Sequence, residues 1–508
     1  MITSIIDYLE DTASKYPYKI AYEDICGSIT FSLLVDQARA VGSAVNSIAN
    51  IQEPVVVFME KGIHNIAAFL GAVYAGDFYV PIDKDMPVDR INMIIDVLSP
   101  AVIIYDHSTE QAVQNIQTDN VSLLEFDSVV MHSINSFALD KITKSIKRTD
   151  LLYVLFTSGS TGMPKGVTIS HAAVIDLMEW ICSKYEIDQN SSFCNQAPFY
   201  FDASVPDLFI PLKTGAMTFI PPKSYYTFPK KILNFIIEHE INTLIWVPSA
   251  LCNVVNCHAF DVCVPSSVKL IIFCGEVMPC RHLNVWKKYV PDARYVNMYG
   301  PTEAAYACTY YEIDREFADH DKLPLGKSCE NSRILLVTED GRLAKEGEVG
   351  EICILGECLS YGYYNDFEKT EKSFTQNPFN KKWMERMYKT GDLGYIDKTG
   401  NLCFFGRKDF QIKRLGYRIE LGEIECALLS CKKVEQACCI FVESANNIIA
   451  VYSGKICEEE LSSMVKRKVP SYMWPDRYIR LDALPINING KIDRLKIRKT
   501  YMEGDSYG

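Results

Sequence analysis

The chain has 508 residues, 48% of them hydrophobic and 23% charged, and its 52 Lys plus Arg against 64 Asp plus Glu give a formal charge of -12. At ~150 residues per domain this length holds about two to four domains and a sizeable core. The acidic balance excludes a general nucleic-acid binder, which needs a cationic face for phosphates.

Met1 to Glu10 lacks a basic leader and is interrupted by Asp7 and Glu10, so it does not read as a secretory signal. The uncharged stretch from Ile241 carries Asn242, Thr243, Pro248, Asn253 and Asn256, too polar for a membrane span of ~20 apolar residues. The 18 cysteines form no CxxC pair, and Cys194, Cys274, Cys353 and Cys403 sit inside apolar runs. Reduced core thiols of a cytoplasmic protein are expected, with no zinc site.

In chain order, the apolar runs Val55–Phe58, Leu152–Phe156 and Leu270–Phe273 predict strands buried on both faces. The segments Ile63–Ala75 and Lys230–Glu240 predict helices between them, which makes the first 400 or so residues α/β. From Gly350 to Phe405 the brief strands Glu351–Leu355, Gly394–Ile396 and Leu402–Phe405, parted by glycines, predict a β-rich subdomain. From Gly406 onward, 18 Lys plus Arg meet 14 Asp plus Glu, a net +4 after a net -16 in the preceding 405 residues. A domain boundary is expected there, giving a large domain, 1–405, and a small α+β domain, 406–508.

The strongest chemical signal is the run from Leu155 through Thr157, Ser158, Gly159, Ser160, Thr161, Gly162 and Lys165 to Gly166. An apolar strand leads into glycines that turn backbone N–H groups outward, hydroxyls that add donors, and a full positive charge. That is a polyphosphate cradle. It lacks the GxxxxGK[ST] spacing of a Walker loop and the GxSxG spacing of a serine-hydrolase elbow.

Further motifs follow in order: Tyr79–Asp83 with Arg90-Ile91, Asn297–Glu303, Tyr388–Leu393, Gly406–Glu425 and Asn487–Arg494. Together with the cradle they resemble the adenylate-forming superfamily, and within it the amino-acid-activating enzymes that load carrier proteins. The resemblance spans nearly the whole chain. It implies a large adenylate-forming domain with a β-rich subdomain, a small mobile domain, ATP and Mg2+ as cofactors, and Asp409 as hinge. Tyr299 is then the flat face for adenine and Asn297 its polar edge, beside Gly300. Thr302 meets the α-phosphate, Glu303 is the hard-oxygen magnesium ligand, and Asp392 and Arg407 hold the ribose. Lys491 brings the positive charge between the attacking carboxylate and the α-phosphorus, where catalysis is mostly positioning and neutralisation.

In the same family an aspartate at Asp202 takes the substrate ammonium. The pocket carried over residue by residue is Ala203, Pro206, Trp246, Ile272, Cys274, Met298, Tyr306 and Ala307, a lining that suits a small or medium neutral amino acid. Phe273–Pro279, Leu323–Gly326 and Asp409–Lys413 look like the D-alanine–carrier-protein ligases, where a cysteine at Cys274 abuts the substrate methyl group. Ala203 and Met298 depart from that branch, which usually has leucine and threonine there. Stand-alone adenylation proteins of the nonribosomal-peptide-synthetase type keep alanine at the former, so both branches stay open. A non-catalytic nucleotide-binding homologue is a third reading. No phosphopantetheine-bearing serine motif is visible. An acidic phosphopantetheinylated carrier protein is therefore expected in trans, facing the basic clusters Lys466–Lys468 and Arg494–Lys499.

Overall fold

The computed structural model describes residues 2–118, 120–159, 162–443, 445–486 and 492–502, without the side chains of Leu495 and Met502. Lys491, Ser160 and Thr161, three of the expected site residues, lie outside the described residues.

The buried apolar runs become central strands, because a strand covered by helices on both faces needs no polar alternation. Among the described residues, a seven-stranded sheet runs in the order Gly362–Tyr363, Lys165–Ser170, Leu151–Thr157, Phe78–Pro81, Pro54–Phe58, Val102–Tyr105 and Ser122–Glu125. A nine-stranded sheet has at its centre the parallel strands Thr243–Trp246, Leu270–Cys274 and Arg294–Tyr299, followed by the antiparallel Thr309–Glu312. The expected strands and helices appear with their ends moved by one or two residues; the helices run Ile63–Tyr74 and Pro229–Glu238. Carboxyl ends of the parallel strands are where an α/β fold leaves a crevice for ligands.

The β-rich part is a five-stranded antiparallel sheet, and it starts earlier than its composition suggests, at Ser332–Val337. Gly394–Ile396 is only the end of the 11-residue strand Arg386–Ile396. Lys389, Gly391 and Asp392 interrupt the apolar alternation of that strand and hide its length. Its partner Leu402–Arg407 ends with Leu393 opposite Gly406 and Asp392 opposite Arg407.

After a hairpin, Gln411–Arg414 with Tyr417–Glu420, comes a three-stranded sheet of Val434–Val442, Asn447–Gly454 and Arg477–Arg480. Its two faces have separate cores. Helices Leu421–Leu429 and Glu458–Lys466 cover one, burying Leu428, Leu461 and Val465 against Cys439 and Ala450. The other face, with Cys438, Ile440 and Val451, is covered by Leu484, Ile492 and Ile497. No helix among the described residues is long and apolar enough to cross a membrane.

Candidate active site

The phosphate-loop residues connect two antiparallel strands, Leu151–Thr157 and Lys165–Ser170, with Thr157 opposite Lys165. Lys165 is buried, and burial beside Arg418 lowers its pKa to about 8 although Glu303 opposes the shift. The Thr157 hydroxyl is buried with no partner among the described residues, a donor left for a ligand. Ser158, Gly159 and Gly162 face the small domain. The Ser158 hydroxyl donates to the Arg418 carbonyl at 2.8 Å and accepts from the Glu420 N–H at 3.1 Å. The Gly159 N–H donates to Glu423 at 3.2 Å, and a Cβ on Gly162 would stand 3.1 Å from Cys426 Cβ.

The residues expected to hold the nucleotide come together where Arg294–Tyr299 meets the antiparallel sheet. The Tyr299 hydroxyl donates to Asp392 at 2.6 Å, and the Arg407 guanidinium pairs with the other oxygen of the same carboxylate. Arg407 also clasps Asp409 at 2.6 and 2.8 Å, linking the expected ribose site to the expected hinge. Asn297 donates its Nδ2 to the Pro324 carbonyl at 2.8 Å, which commits one end of the amide. Gly300 passes directly beneath the next turn, and a Cβ there would lie 2.5 Å from the Tyr306 carbonyl oxygen. The Lys413 ammonium stands 5.6 Å from the centre of the Tyr299 ring.

Thr302 and Glu303 begin a short 3-10 turn that ends in Ala305 and Tyr306, both with positive φ (49° and 91°). Such strain in non-glycine residues persists only where the surroundings impose it. Here it brings the Tyr306 carbonyl to 3.7 Å from Cys274 Sγ. Burial pushes the Cys274 thiol up to about 12, so at neutral pH it is an uncharged wall. Ile272, Cys274, Met298, Tyr306 and Ala307 pack in one core cluster, with Ala203 against its edge and Pro206 buried in the helix Val205–Thr214. Asp202 opens the 3-10 turn Asp202–Ser204 just before that helix, and burial raises its carboxyl pKa while a hydrogen bond from Thr302 opposes the shift.

Trp246 is the exception. It pairs with Phe273, whose side chain alternates to the other face of the sheet from Ile272 and Cys274. There it joins a second core cluster and donates its indole N–H to the Cys194 carbonyl at 2.8 Å.

Glu303 is completely buried, and both its oxygens are engaged. Oε1 accepts from the Tyr363 hydroxyl at 2.9 Å with Lys165 at 3.4 Å; Oε2 accepts from Arg418 at 2.5 Å. Burial alone would raise its pKa, but Arg418 and Lys165 hold it well below the usual carboxylate range. Among the described residues no three His, Cys, Asp or Glu gather as a metal cage. Magnesium needs only one or two carboxylates when phosphate oxygens complete its shell. Glu303 therefore fits that ion with Arg418 withdrawn, and not in the arrangement seen here.

Sequence reasoning named Arg90 only as part of a motif, expected Arg418 in the Gly416–Arg418 segment that rotation presents to the thiol arm, and gave no role to Glu276, Glu423 or Tyr363. Arg90 and Glu423 form a buried ion pair between the large domain and the helix Leu421–Leu429, each side chain at most 3% exposed. Glu276 accepts the Gly416 N–H at 2.7 Å and the Ser249 N–H at 3.0 Å. Gly416 has φ +81°, which allows the hairpin tip to lie against Val247. Beside it Tyr417 stacks on Tyr472, ring centres 3.9 Å apart, and meets Phe201 edge-on. These residues become visible only when two distant segments are docked.

Two family profiles match the chain: AMP-binding enzyme over residues 9–364, and AMP-binding enzyme C-terminal domain over residues 423–491. The D-alanine–D-alanyl carrier protein ligase of Bacillus cytotoxicus is 32% identical over 506 residues, 97% of this chain and 98% of that protein. The ligase of the same name from Bacillus anthracis is 32% identical over 512 residues with the same coverage. Among solved structures, IdnL1 superposes with a TM-score of 0.82 at 25% identity, over 96% of this chain and 99% of that one. The Vibrio cholerae adenylation domain AlmE, solved with glycyl-adenosine-5'-phosphate, shares the fold with a TM-score of 0.83 at 19% identity, over 99% and 98%. The chain belongs to the AMP-binding enzyme family, as an ATP-dependent, AMP-forming ligase with that family's large and small domains.

Proposed function

We propose that the protein activates a small neutral amino acid, D-alanine before others, as an aminoacyl-adenylate and passes it to the phosphopantetheine thiol of a carrier protein supplied in trans. The carrying observation is Asp202, a half-buried carboxylate whose pKa is raised by desolvation, next in the chain to Ala203, which packs against the uncharged cluster of Ile272, Cys274 and Met298. Lys413 and Arg418 offset only part of the desolvation of this carboxylate, and a substrate α-ammonium would complete the balance. The relatives named D-alanine–D-alanyl carrier protein ligase support the choice of amino acid.

In this reading Thr157, Ser158, Lys165 and Thr302 receive the phosphates, Asp392 the ribose hydroxyls and Tyr299 the base. When bound, Mg2+ neutralises phosphate charge, and Glu303 would hold it. Lys491 supplies the charge at the reacting centre during adenylation.

Ile492 packs on the sheet face opposite the helix Leu421–Leu429, which docks on the large domain through Glu423. Gly416, Tyr417 and Arg418 of the small domain pack on Glu276, Phe201 and Glu303. We read this as the carrier-loading arrangement, with adenylation requiring rotation about Asp409. An acidic carrier would meet the basic small domain, and the cytoplasm would supply ATP.

The test is pyrophosphate exchange across an amino-acid panel with both enantiomers, on the wild type and Asp202→Ala. D-Alanine should lead the panel, and the variant should lose activation while still binding ATP. An L-amino acid in front would favour the second reading, a stand-alone peptide-synthetase-type adenylation enzyme, which Ala203 supports. A variant with an unchanged profile would show the pocket to be elsewhere.

A further inference from the structure

We propose that Arg418 takes the place of the divalent cation on Glu303, so that metal occupancy and docking of the small domain in this arrangement exclude one another. The inference rests on the reading of Glu303 as the metal ligand and adds what happens to that carboxylate when the metal is gone.

Glu303 is 0% exposed, so its charge needs a counter-charge at every stage of the cycle. Tyr363 and Lys165 belong to the large domain and stay on Oε1. Oε2 is held at 2.5 Å by Arg418, which arrives with the small domain. A magnesium ion binds a carboxylate oxygen at ~2.0–2.1 Å inside a near-octahedral shell. A guanidinium nitrogen at 2.5 Å from that oxygen fills the same space with the same sign of charge.

The arginine is not a loose surface side chain that could step aside. Its side chain is 14% exposed, and its backbone carbonyl accepts from Ser158. The residues around it are pinned by Glu276 at the Gly416 N–H and by Ser158 at the Glu420 N–H. Arg418 can leave Glu303 only if the hairpin leaves with it. Departure of the metal exposes a carboxylate that Arg418 then covers, and docking would follow metal release without a separate sensor.

Two measurements test this on the full-length protein. Mn2+ binding, read by electron paramagnetic resonance with α,β-methylene-ATP present, should tighten about fivefold or more in Arg418→Gln. A ligand's apparent affinity is reduced by the fraction of protein able to receive it. Glu303→Gln should lose that Mn2+ site. Hydrogen exchange of the wild-type peptide spanning 416–420 should speed up when Mg2+ and pyrophosphate are added and stay slow with pyrophosphate alone.

Loss of the site in Glu303→Gln, with Arg418→Gln binding Mn2+ like the wild type, would overturn the proposal and leave Glu303 as the ligand. Unchanged Mn2+ affinity in Glu303→Gln would overturn the metal-ligand reading and the proposal with it. Exchange at 416–420 that ignores Mg2+ would overturn the proposal without relying on any variant.

Discussion

At the scale of single residues, the proposed D-alanine preference would turn on Cys274. With the ammonium on Asp202 and the carboxylate directed to the α-phosphate, exchanging enantiomers swaps the side chain with the α-hydrogen. The neutral thiol then meets one enantiomer's methyl group and only the other's hydrogen. Relief of a clash of about one methylene is worth ~1–3 kcal/mol, or roughly 10–200-fold. Cys274→Ala should raise exchange with L-alanine by an amount in that range and leave D-alanine nearly unchanged. Equal changes for both enantiomers would remove the thiol from the selectivity.

A second residue-scale prediction concerns Asp207, which sequence patterning left unremarked. It is fully buried, accepts from Asn195 at 2.9 Å on one oxygen, and has no partner for Oδ1 among the described residues. Burial pushes its pKa up to about 8, against the opposing pull of Asn195 and Lys61. A folded pKa raised above the unfolded value gives stability that is complete below about pH 4 and lost as pH rises through about 8, by up to ~1.4 kcal/mol per unit. Asp207→Asn should remove that slope, so the stability difference between variant and wild type should shift steadily in favour of the variant from pH 5 to 8 in urea titrations. A difference independent of pH would show Asp207 ionised throughout.

The candidate phosphate-binding run was legible at this scale, because glycines, hydroxyls and a lysine in one short run have few other uses. Trp246 was not. Motif position placed it in the pocket, while strand alternation turned its ring to the other face of the sheet.

At the scale of elements, hydrophobic runs located the central strands within a residue or two, since burial on both faces leaves an unmistakable apolar stretch. The long strand Arg386–Ile396 was read as a fragment because it carries the polar residues of the site. The helices Phe31–Asn46 and Ile63–Tyr74 show how closely elements approach. A Cβ on Gly71 would lie 2.4 Å from Val41 Cγ1 and 2.5 Å from its branch-point Cβ, which is held by the helix backbone and has little freedom. Overpacking of this kind costs ~1–3 kcal/mol. Gly71→Ala should lower the midpoint of denaturant unfolding accordingly, and an unchanged midpoint would mean that the helix pair has slack the structure does not show.

At the scale of the whole molecule, sequence gave the existence of a small domain through its reversed charge and left its docking unreadable. Docking depends on pairs more than a hundred residues apart, among them Arg90 with Glu423 and Glu303 with Arg418. Removing one member of a buried pair typically costs ~3–5 kcal/mol. In the proposed rotation that cost would fall on the arrangement seen here, where Glu423 and Arg90 are paired, and spare the one in which they are parted.

In the proposed cycle one site serves two half-reactions by exchanging which part of the small domain closes it. Its most direct test measures pyrophosphate exchange and carrier loading from preformed aminoacyl-adenylate, separately, in Lys491→Ala and Glu423→Gln. Lys491→Ala should lose exchange by ~10²-fold or more while keeping most of its loading. Glu423→Gln should show the reverse, with loading down by ~10²-fold and exchange nearly intact. Parallel losses in both half-reactions, in both variants, would contradict the account.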